Sequence, residues 1–527
     1  MRRSSFWLKV LLALAVVALA DRVVFEANAV GLNLAILLAA ATLALAITRP
    51  AVWRDGLGRW ALLAAGLLSL LPAERPSFVG LLLWILAIAV ATLSPRAARG
   101  DDGFRWFQRL VGAGAKALFL WTKDLRTLLQ ARARRAPLRL TGVLLAAALP
   151  VVGGIVFLEL FAAANPVIGR WQSSLQFAAL DVGRIIFWLV IAFPLATILR
   201  PRGLARPLKT PGIEGDLNVP GVTAASVTAA LAVFNGVFAV QNGLDIAYLW
   251  NSAGLPKGVS FADYAHQGAY PLIATSLLAG LFVLVFLRPG SATAARPAVR
   301  WLVSAWVAQN LFLVASTILR TADYIEVYSL TRMRIAALIW MGLVAAGLAL
   351  ILWRVLAAKT SGWLVNANLA VLGVVLMACS LVDFSAVTAA WNVRNAREVG
   401  GKGVALDLCY MRSLSGGAAV SLAELEGRLP EGDFRRRVAV VRSRLGHGLA
   451  RHVDREDGRV VTRSPDWRGR RFRDDRRLAR LDAMGLKPEP IVDAGPAFYC
   501  DGSPMPAPPK ALPAPTPPLT PTANPRT

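Results

Sequence analysis

Histidine and cysteine are scarce in this chain, and the common catalytic motifs are missing from it. The three histidines among 527 residues, His266, His447 and His452, are too few and too scattered for a metal site. No HExxH, GxSxG or Walker pattern occurs, and Gly112–Lys116 lacks both the Walker spacing and the following Ser or Thr. We therefore expect no metal and no cofactor, and neither zinc chemistry nor ATP hydrolysis.

Charged residues are also few: they make up 17% of the chain, against 56% hydrophobic residues. Apolar runs of about 17 to 25 residues are long enough to cross the hydrocarbon core of a bilayer as helices. A helix satisfies its own backbone groups in lipid, and the alternating pattern of barrel strands is missing. The sequence predicts an all-α, polytopic transmembrane bundle with about 11 spans, a small, mainly helical C-terminal extramembrane domain and a disordered end.

The apolar runs also predict where the spans lie. They fall near residues 6–25, 29–48, 59–72, 77–94, 138–163, 175–199, 221–247, 268–288, 298–319, 333–357 and 362–385. The third run is short, so it either forms a tight hairpin with the fourth or is partly re-entrant. The predicted domains are N-terminal transmembrane hairpins (1–95), a basic joint (96–137), a transmembrane core bundle (138–386), a helical tail domain (387–501) and a disordered Pro-rich end (502–527).

Lysine and arginine outnumber acidic residues by 58 to 32, and they collect in alternate joints that share a side with the N-terminus. The basic joints are Arg2–Lys9, Arg49–Arg59, Arg96–Arg139, Arg200–Lys209, Arg288–Arg300 and Arg354–Lys359. Because basic joints stay in the cytoplasm, we predict a bacterial inner-membrane protein with a cytoplasmic N-terminus and a periplasmic C-terminal tail. Its expected partners are the lipid bilayer and anionic headgroups at the basic joints, not nucleic acid, and the sequence identifies no protein partner.

The first run has a second interpretation, because a basic start and an apolar stretch lead to Ala18-Leu19-Ala20 before Asp21. This pattern is typical of a cleaved signal peptide. Cleavage would leave the remaining topology unchanged, and we favour an uncleaved first helix.

An apolar stripe runs at helical spacing from Phe104 to Leu128 in the long basic joint. Arg105, Arg109 and Lys116 lie largely off that stripe. The pattern predicts an amphipathic helix, which either lies on the cytoplasmic leaflet or packs against the ends of the bundle.

The three cysteines divide between the last span and the tail. Cys379 lies within the span, whereas Cys409 and Cys500 both fall in the tail predicted to be periplasmic. Two cysteines in an oxidising compartment are candidates for a disulfide, which would close a loop of about ninety residues and stabilise a small domain by a few kcal/mol. The alternative is two unrelated buried thiols.

Polar residues inside spans are costly in lipid, so they tend to face a bundle interior or a cavity. Asn235 and Asn242 share one face of the seventh span, and Gln241 and Asp245 share an adjacent face. The topology gathers further polar and aromatic residues at the same periplasmic rim: Tyr248, Asp263, Tyr264, Arg320, Asp323, Glu326, Tyr328, Arg334 and Asp383. This rim is either a binding site for a headgroup, an ion or an anionic sugar, or a belt of mutually satisfied salt bridges.

The sixth span carries two opposite charges, Asp181 and Arg184, which are three residues apart. On a helix such residues are neighbours. We expect them to neutralise each other.

Three blocks of sequence resemble a known bacterial family. They are Gln241–Ala265, Tyr324–Arg334 with its Leu330-Thr331-Arg332 core, and Trp391-Asn392-Val393 leading to Leu406-Asp407-Leu408. Together they are similar to polytopic membrane proteins that carry a domain of unknown function of the 4173 type, with its 4153 relative, over roughly residues 220 to 425. The resemblance implies a helical bundle with these blocks on its extracytoplasmic side, and it brings no catalytic residue.

Two functions remain open at this stage. The first is a non-enzymatic envelope protein that moves a small solute or ion, or that regulates an envelope process through its rim and tail. The second is a membrane-embedded enzyme that uses Asp245 or Asp263 as a base and Arg320 or Arg334 as an anion clamp. A transporter predicts a cavity lined by Asn235 and Asn242, and an enzyme predicts a closed pocket beside an aspartate.

Overall fold

The computed structural model describes most of the chain in two compact units. The described residues are 3–97, 101–116, 182–201, 223–250, 277–288, 290–401, 403–450, 452–456, 459–463, 466–486 and 498–505, with the positions 153–154, 157, 161, 165 and 274–275. One unit comprises Met1–Phe384 and Arg451–Arg476, and the other comprises Ser385–Ala450 and Arg477–Thr527. A central piece of the tail therefore folds with the membrane bundle.

Among its described residues, the first unit has helices and one β-hairpin as its regular elements. Its N-terminal helices are α1 (Arg3–Ala20, extended by a π-helical turn at Asp21–Phe25), α2 (Leu32–Thr48), α3 (Ala51–Arg54), α4 (Gly56–Leu68), α5 (Leu71–Glu74), α6 (Phe78–Leu93), α7 (103–116) and α8 (Val182–Leu199). Its later helices are α9 (Ala224–Asp245, with a π-helical turn at Ile246–Trp250), α10 (Leu277–Phe286), α11 (Ala292–Ala295), α12 (Pro297–Tyr328), α13 (Arg332–Leu356) and α14 (Ser361–Leu381). Strands β1 (His452–Glu456) and β2 (Arg459–Arg463) pair antiparallel, with His452 opposite Arg463.

Within the described residues, six helical segments are long and apolar enough to cross a membrane, judged by length and composition. They are Gly56–Glu74, Phe78–Arg96, Ala224–Asp245, Pro297–Tyr328, Arg332–Leu356 and Ser361–Leu381. The apolar helices Leu32–Thr48, Gly183–Leu199 and Leu277–Phe286 are shorter and coincide with three further predicted runs. The predicted count of about 11 spans is therefore not confirmed, and the run at 138–163 lies largely outside the described residues.

Side-chain caps start several of the described helices, among them five in the bundle. Asp55, Ser77, Thr223, Thr331 and Thr360 each accept a hydrogen bond from the backbone N–H three residues later. Each cap satisfies one of the donors that the first helical turn leaves unpaired and contributes about 1 kcal/mol. These short polar residues therefore set where α4, α6, α9, α13 and α14 begin.

The short third run forms a hairpin with the fourth. Helix α4 packs against α6, and α5 extends the first arm to Glu74. Around the bundle, large apolar side chains point outward: Leu67, Phe78 and Val374 are 71%, 80% and 70% exposed. Such exposure has a physical reason in a membrane protein, because these surfaces face hydrocarbon rather than water.

The predicted amphipathic helix is α7, which is described as far as residue 116, and the rest of the predicted stripe lies outside the described residues. The Gly103 N–H donates a hydrogen bond to the Asn366 Oδ1 at 2.8 Å, which places the start of α7 beside the start of α14. Phe107 and Val111 are 61% and 54% exposed, whereas Arg109 is buried in an ion pair with Asp101. The apolar residues Phe107 and Val111 of α7 are therefore exposed, and both supports, the leaflet and the bundle, stay predictions.

The second unit contains α15 (Phe384–Asn395), α16 (Leu408–Ser413), α17 (Ala419–Glu426), α18 (Asp433–Ala450) and the last turns of α19 (Phe472–Ala483). Its core includes Met411, Leu422 and Leu425, which are fully buried. Cys409 and Cys500 are joined by a disulfide, with 4.8 Å between their Cα atoms, and Cys379 is free. A small domain with a limited core gains stability from such a link.

Candidate functional site

A row of polar side chains joins α9 to α12. The Asn235 Nδ2 donates hydrogen bonds to the carbonyl oxygens of Leu231 and Leu302, at 2.8 and 2.9 Å, and its Oδ1 accepts one from the Gln309 Nε2 at 2.7 Å. Further along, the Asn242 Nδ2 donates to the Gln309 carbonyl oxygen at 3.2 Å. Both asparagines thus bind across a helix contact, and neither lines any of the three cavities we describe among the described residues.

This row, which we call the polar seam, ends in a buried ion pair. The Asp245 carboxylate accepts a hydrogen bond from the Arg320 Nη2 and another from the Gln241 Nε2 at 3.1 Å. Asp245 and Arg320 are only 1% and 6% exposed. Burial of two opposite charges in contact is tolerable because each neutralises the other, whereas either one alone would be costly.

Four buried acceptor oxygens lie in the polar seam or on the residue next to it. Within the part of the chain that the structure describes, Asn242 Oδ1, Asp245 Oδ2, Gln309 Oε1 and Asn310 Oδ1 are buried without a hydrogen-bond partner. Buried acceptors normally find a donor in the protein or in an ordered water. The seam therefore has the chemistry to hold a donor, such as water, or a small cation.

Arg334 closes the end of α12. Its Nη1 donates to the carbonyl oxygens of Tyr328, at 2.7 Å, and Ser329, and its guanidinium lies 4.2 Å from the centre of the Tyr324 ring. Carbonyls at a helix C-terminus are negative and lack helical partners, so a guanidinium stabilises them. Arg334 is therefore engaged in a helix cap and a cation–π contact.

The remaining predicted rim residues scatter. Asp323 is half-buried and Glu326 and Tyr328 are exposed on the last turns of α12. Tyr248 belongs to the π-helical turn after α9, its side chain lies outside the described residues, and so do Asp263 and Tyr264. Asp383, after α14, lies 4.0 Å from the Arg75 Nη1 and 3.9 Å from the Arg473 Nη1.

Arg473 belongs to a tail segment, Asp466–Arg476, which we call the arginine strap. It docks on the loop between α1 and α2 and on the start of α2. The Leu32 N–H donates to the Arg470 carbonyl oxygen at 3.0 Å, and the side-chain Nε of Arg471 donates to the Val30 carbonyl oxygen at 2.9 Å. The approach is close: a Cβ on Gly469 would lie 2.6 Å from the Ala29 Cβ. Only glycine fits at this crossing.

Arginines of the strap pair with carboxylates at the same end of the bundle. The Arg473 Nε donates to Glu74 at 3.1 Å, and Arg476 donates to the same carboxylate oxygen. Arg468 donates to the Arg22 carbonyl oxygen at 2.6 Å and lies 3.4 Å from Glu26. The acidic ends of the first helices are thus occupied by the tail.

Arg184 has a partner that local spacing did not predict. Its guanidinium donates to both oxygens of Asp21, at 2.7 and 2.5 Å, and the Trp188 Nε1 donates to the same carboxylate at 2.8 Å. Asp181 lies outside the described residues. The expected pair with Asp181 therefore stays a prediction. The contact with Asp21 joins α8 to the end of α1 by a bidentate pair, the strongest geometry that Arg and carboxylate form.

Sequence reasoning missed Gln309, Asn310 and the strap arginines. Amide side chains are costly inside a membrane span, so Gln309 and Asn310 could have been identified from the sequence in the same way as Asn235. For the strap, the signal was an Arg-dense segment in a tail that is predicted to be periplasmic, where the positive-inside rule expects few basic residues. The described residues contain no group of three or more His, Cys, Asp or Glu side chains that could hold a metal ion.

A comparison with known proteins adds one finding. No curated protein and no solved structure matches the chain. A family model matches residues 8–425, well beyond the blocks that carried the resemblance, and it is that of the 4153 relative. The chain is thus a helical membrane protein that belongs to the family described as Domain of unknown function (DUF4153).

Proposed function

We propose that this protein lies in the bacterial inner membrane with its N-terminus in the cytoplasm and its tail in the periplasm. Two observations support this orientation. Lys9, Arg49, Arg96 and Arg200 lie near one another at one end of the helices, and the strap contacts the opposite end. A basic end marks the cytoplasmic side. The disulfide between Cys409 and Cys500 also suits an oxidising compartment.

In this orientation the protein regulates an envelope process and does not catalyse a reaction. The observation that carries the proposal is the docking of the arginine strap on Glu26, Glu74 and Asp383. Ion pairs that remain partly exposed contribute about 1 kcal/mol each and weaken with salt, so the strap is held by a free energy that a periplasmic signal can overcome. Docked and released forms of the strap give the two states that a switch requires.

The rival enzymatic function has less support. Of its two anion clamps, Arg320 already pairs with Asp245, and Arg334 binds the carbonyl oxygens at the end of α12. A guanidinium that already binds groups of its own protein is not positioned to bind a substrate anion. Asp263, the alternative base, lies outside the described residues.

The regulatory function is tested by complementation in cells that lack the native copy. Wild type and Glu431→Gln, a matched loss of an exposed carboxylate in the second unit, should restore envelope integrity, measured as resistance to detergent and to large antibiotics. Glu74→Gln should not. Full rescue by Glu74→Gln, at equal protein level, would contradict a role for the strap.

The polar seam supports a second candidate, the passage of a proton or a small cation along α9 and α12. Its support is the set of buried acceptor oxygens without donors, whereas the cavities we describe are not lined by Asn235 or Asn242. In proteoliposomes, Asn242→Leu should lower ion flux at least ten-fold. The control is Asn368→Leu, which removes an amide on a different helix, where its Nδ2 donates to the carbonyl oxygen of Leu364 four residues earlier. Equal flux with and without the protein would remove this candidate.

A further inference from the structure

A basic cavity of about 450 Å³ opens at the end of the bundle opposite the strap. It lies between the end of α10, the start of α12 and the end of α13, and its cationic lining residues are Arg288, Arg300, Arg354 and Lys359. No carboxylate occurs among the described residues that line it. Four cations without a counter-ion at one site attract an anion.

Arg354 is the central group of this cavity. It is 3% exposed, and its Nη2 makes only a long hydrogen bond, 3.3 Å, to the Ser361 Oγ. Its Nη1 is buried without a hydrogen-bond partner among the described residues. A buried guanidinium with an unused donor is costly to a fold unless an anion completes it, so this group indicates a ligand.

The other cations are held by the backbone around the cavity. The Arg300 Nη2 donates to the carbonyl oxygens of Val355 and Leu356, at 3.2 and 3.1 Å, and the Arg288 Nε donates to the Val285 carbonyl oxygen at 3.1 Å. These bonds fix the side chains and leave the other nitrogens of each fork free to bind an acceptor.

The end of α13 places Lys359 at the mouth of the cavity. The Lys359 N–H donates to the Arg354 carbonyl oxygen at 3.1 Å, and Ala358 adopts a left-handed conformation with φ of 50°. This is the turn that usually ends a helix with glycine. It turns the chain back over the last helical turn, and Lys359 follows as an exposed cation.

An apolar groove of about 410 Å³ runs along α10 and α13, two of the helices around the basic cavity, toward the middle of the bundle. Leu284 on α10 and Ile351 on α13 line the groove. Arg288, just after α10, and Arg354, in the last turn of α13, line the basic cavity. A hydrocarbon-lined groove that ends in a cluster of cations matches a phospholipid, whose acyl chain and phosphate occupy the two parts.

We propose that this cavity binds the phosphate of an anionic phospholipid, with Arg354 as the central ligand and an acyl chain in the adjoining groove. This site is separate from the strap and does not depend on the proposed regulatory function, because its residues lie at the other end of the helices. The phosphate oxygens accept hydrogen bonds from the Arg354 Nη1 and from the cations around it. The surrounding lipid keeps a large soluble anion out of the apolar groove.

The test uses the full chain, purified in a neutral detergent, and measures its melting temperature while dioleoyl phosphatidylglycerol is titrated. Matched titrations use dioleoyl phosphatidylcholine and inorganic phosphate. The variants Lys359→Gln and Arg288→Gln remove lining cations from exposed or half-buried positions, so they should fold. The control Arg54→Gln removes an exposed cation outside the cavity.

We expect phosphatidylglycerol to raise the melting temperature of wild type and of Arg54→Gln with the same apparent affinity. Each lining variant should weaken that affinity roughly five-fold, because this is the contribution of one Lys or Arg near the membrane surface to the binding of anionic lipid. A stabilisation by inorganic phosphate that the same variants abolish would support the phosphate cavity and overturn its assignment to lipid. Equal affinities in lining variants and control, or no stabilisation by any of the three ligands, would overturn the proposal.

Discussion

Replacing Glu74 by glutamine should loosen the arginine strap. One oxygen of the Glu74 carboxylate accepts hydrogen bonds from Arg473 and Arg476, and the side chain is 29% exposed. Glutamine keeps the shape and one acceptor oxygen but removes the charge. Charge-assisted hydrogen bonds are about twice as strong as neutral ones, so this substitution isolates the electrostatic part of the docking.

The expected loss follows from the two pairs. A partly exposed ion pair contributes at most about 1 kcal/mol, so the loss for two pairs is about 1 to 2 kcal/mol. That free energy raises the population of the released strap roughly five- to thirty-fold. Because cleavage of a transiently open segment follows its open population, proteolysis should rise by the same factor.

Trypsin is the suitable probe, because it cleaves after arginine and the strap carries Arg468, Arg470, Arg471, Arg473 and Arg476. Cleavage within 466–476 is followed by mass spectrometry in detergent at low salt, for wild type, Glu74→Gln and the control Glu431→Gln. The control carboxylate is 87% exposed and pairs with Arg435 in the second unit. High salt should speed cleavage of wild type more than of Glu74→Gln. Salt screens ion pairs, and wild type has the two Glu74 pairs that the variant lacks. Strap cleavage in Glu74→Gln within two-fold of wild type would refute the reasoning.

Three further predictions concern other parts of the molecule. Arg320→Gln leaves the buried Asp245 charge uncompensated and should lower the free energy of unfolding by about 3 to 5 kcal/mol, whereas replacing both residues by leucine should lower it much less. Denaturant unfolding in detergent measures both, and equal losses would contradict a buried ion pair. Ala358→Gly should raise stability by about 0.5 to 1 kcal/mol in the same assay, because glycine adopts the φ of 50° without strain; a loss would show that the turn differs. The hydrogen bond from Arg468 lowers the pKa of Asp466, so the contribution of this pair to strap stability should be constant from pH 8 to 5 and be lost as the pH falls below about 4. The measurement is hydrogen exchange over 466–470, corrected for intrinsic rates, and a fall in protection between pH 8 and 5 would contradict the prediction.

Apolar runs predicted the helices of the core well because lipid permits few alternatives. The runs at 221–247, 333–357 and 362–385 correspond to α9, α13 and α14 within a few residues. The run at 298–319 stopped too early, since α12 continues to Tyr328. Arg320 broke the apolar pattern, and the pairing with Asp245, 75 residues away in sequence, is what makes that charge acceptable inside the helix.

The contacts at the ends of the helices were less predictable, because they join residues that are distant in the sequence. Arg184 binds Asp21 on another helix, 163 residues away in the sequence, and local spacing gives no signal for this contact. The strap is the extreme case: its arginines read as a surface segment, and only the fold brings Arg473 to Glu74. Local spacing gives the neighbours within one helix, and pairs between helices depend on packing.

Within the predicted rim, residue type was informative but grouping was not. Asn235, Gln241, Asn242, Asp245 and Arg320 share the polar seam, as the cost of polar groups in spans suggested. Arg334 and Asp383 instead contact the end of α12 and the strap. Topology alone places all of these at one end of the bundle, and it does not say which side chains meet.

The orientation of the tail is the claim on which the regulatory proposal depends most directly. In a Cys379→Ser background, Cys409 and Cys500 are probed with a membrane-impermeant maleimide in intact spheroplasts, before and after mild reduction. We predict labelling only after reduction, because both thiols lie in the periplasm and are joined in the disulfide. Labelling that requires permeabilised membranes would place the tail in the cytoplasm and contradict the account.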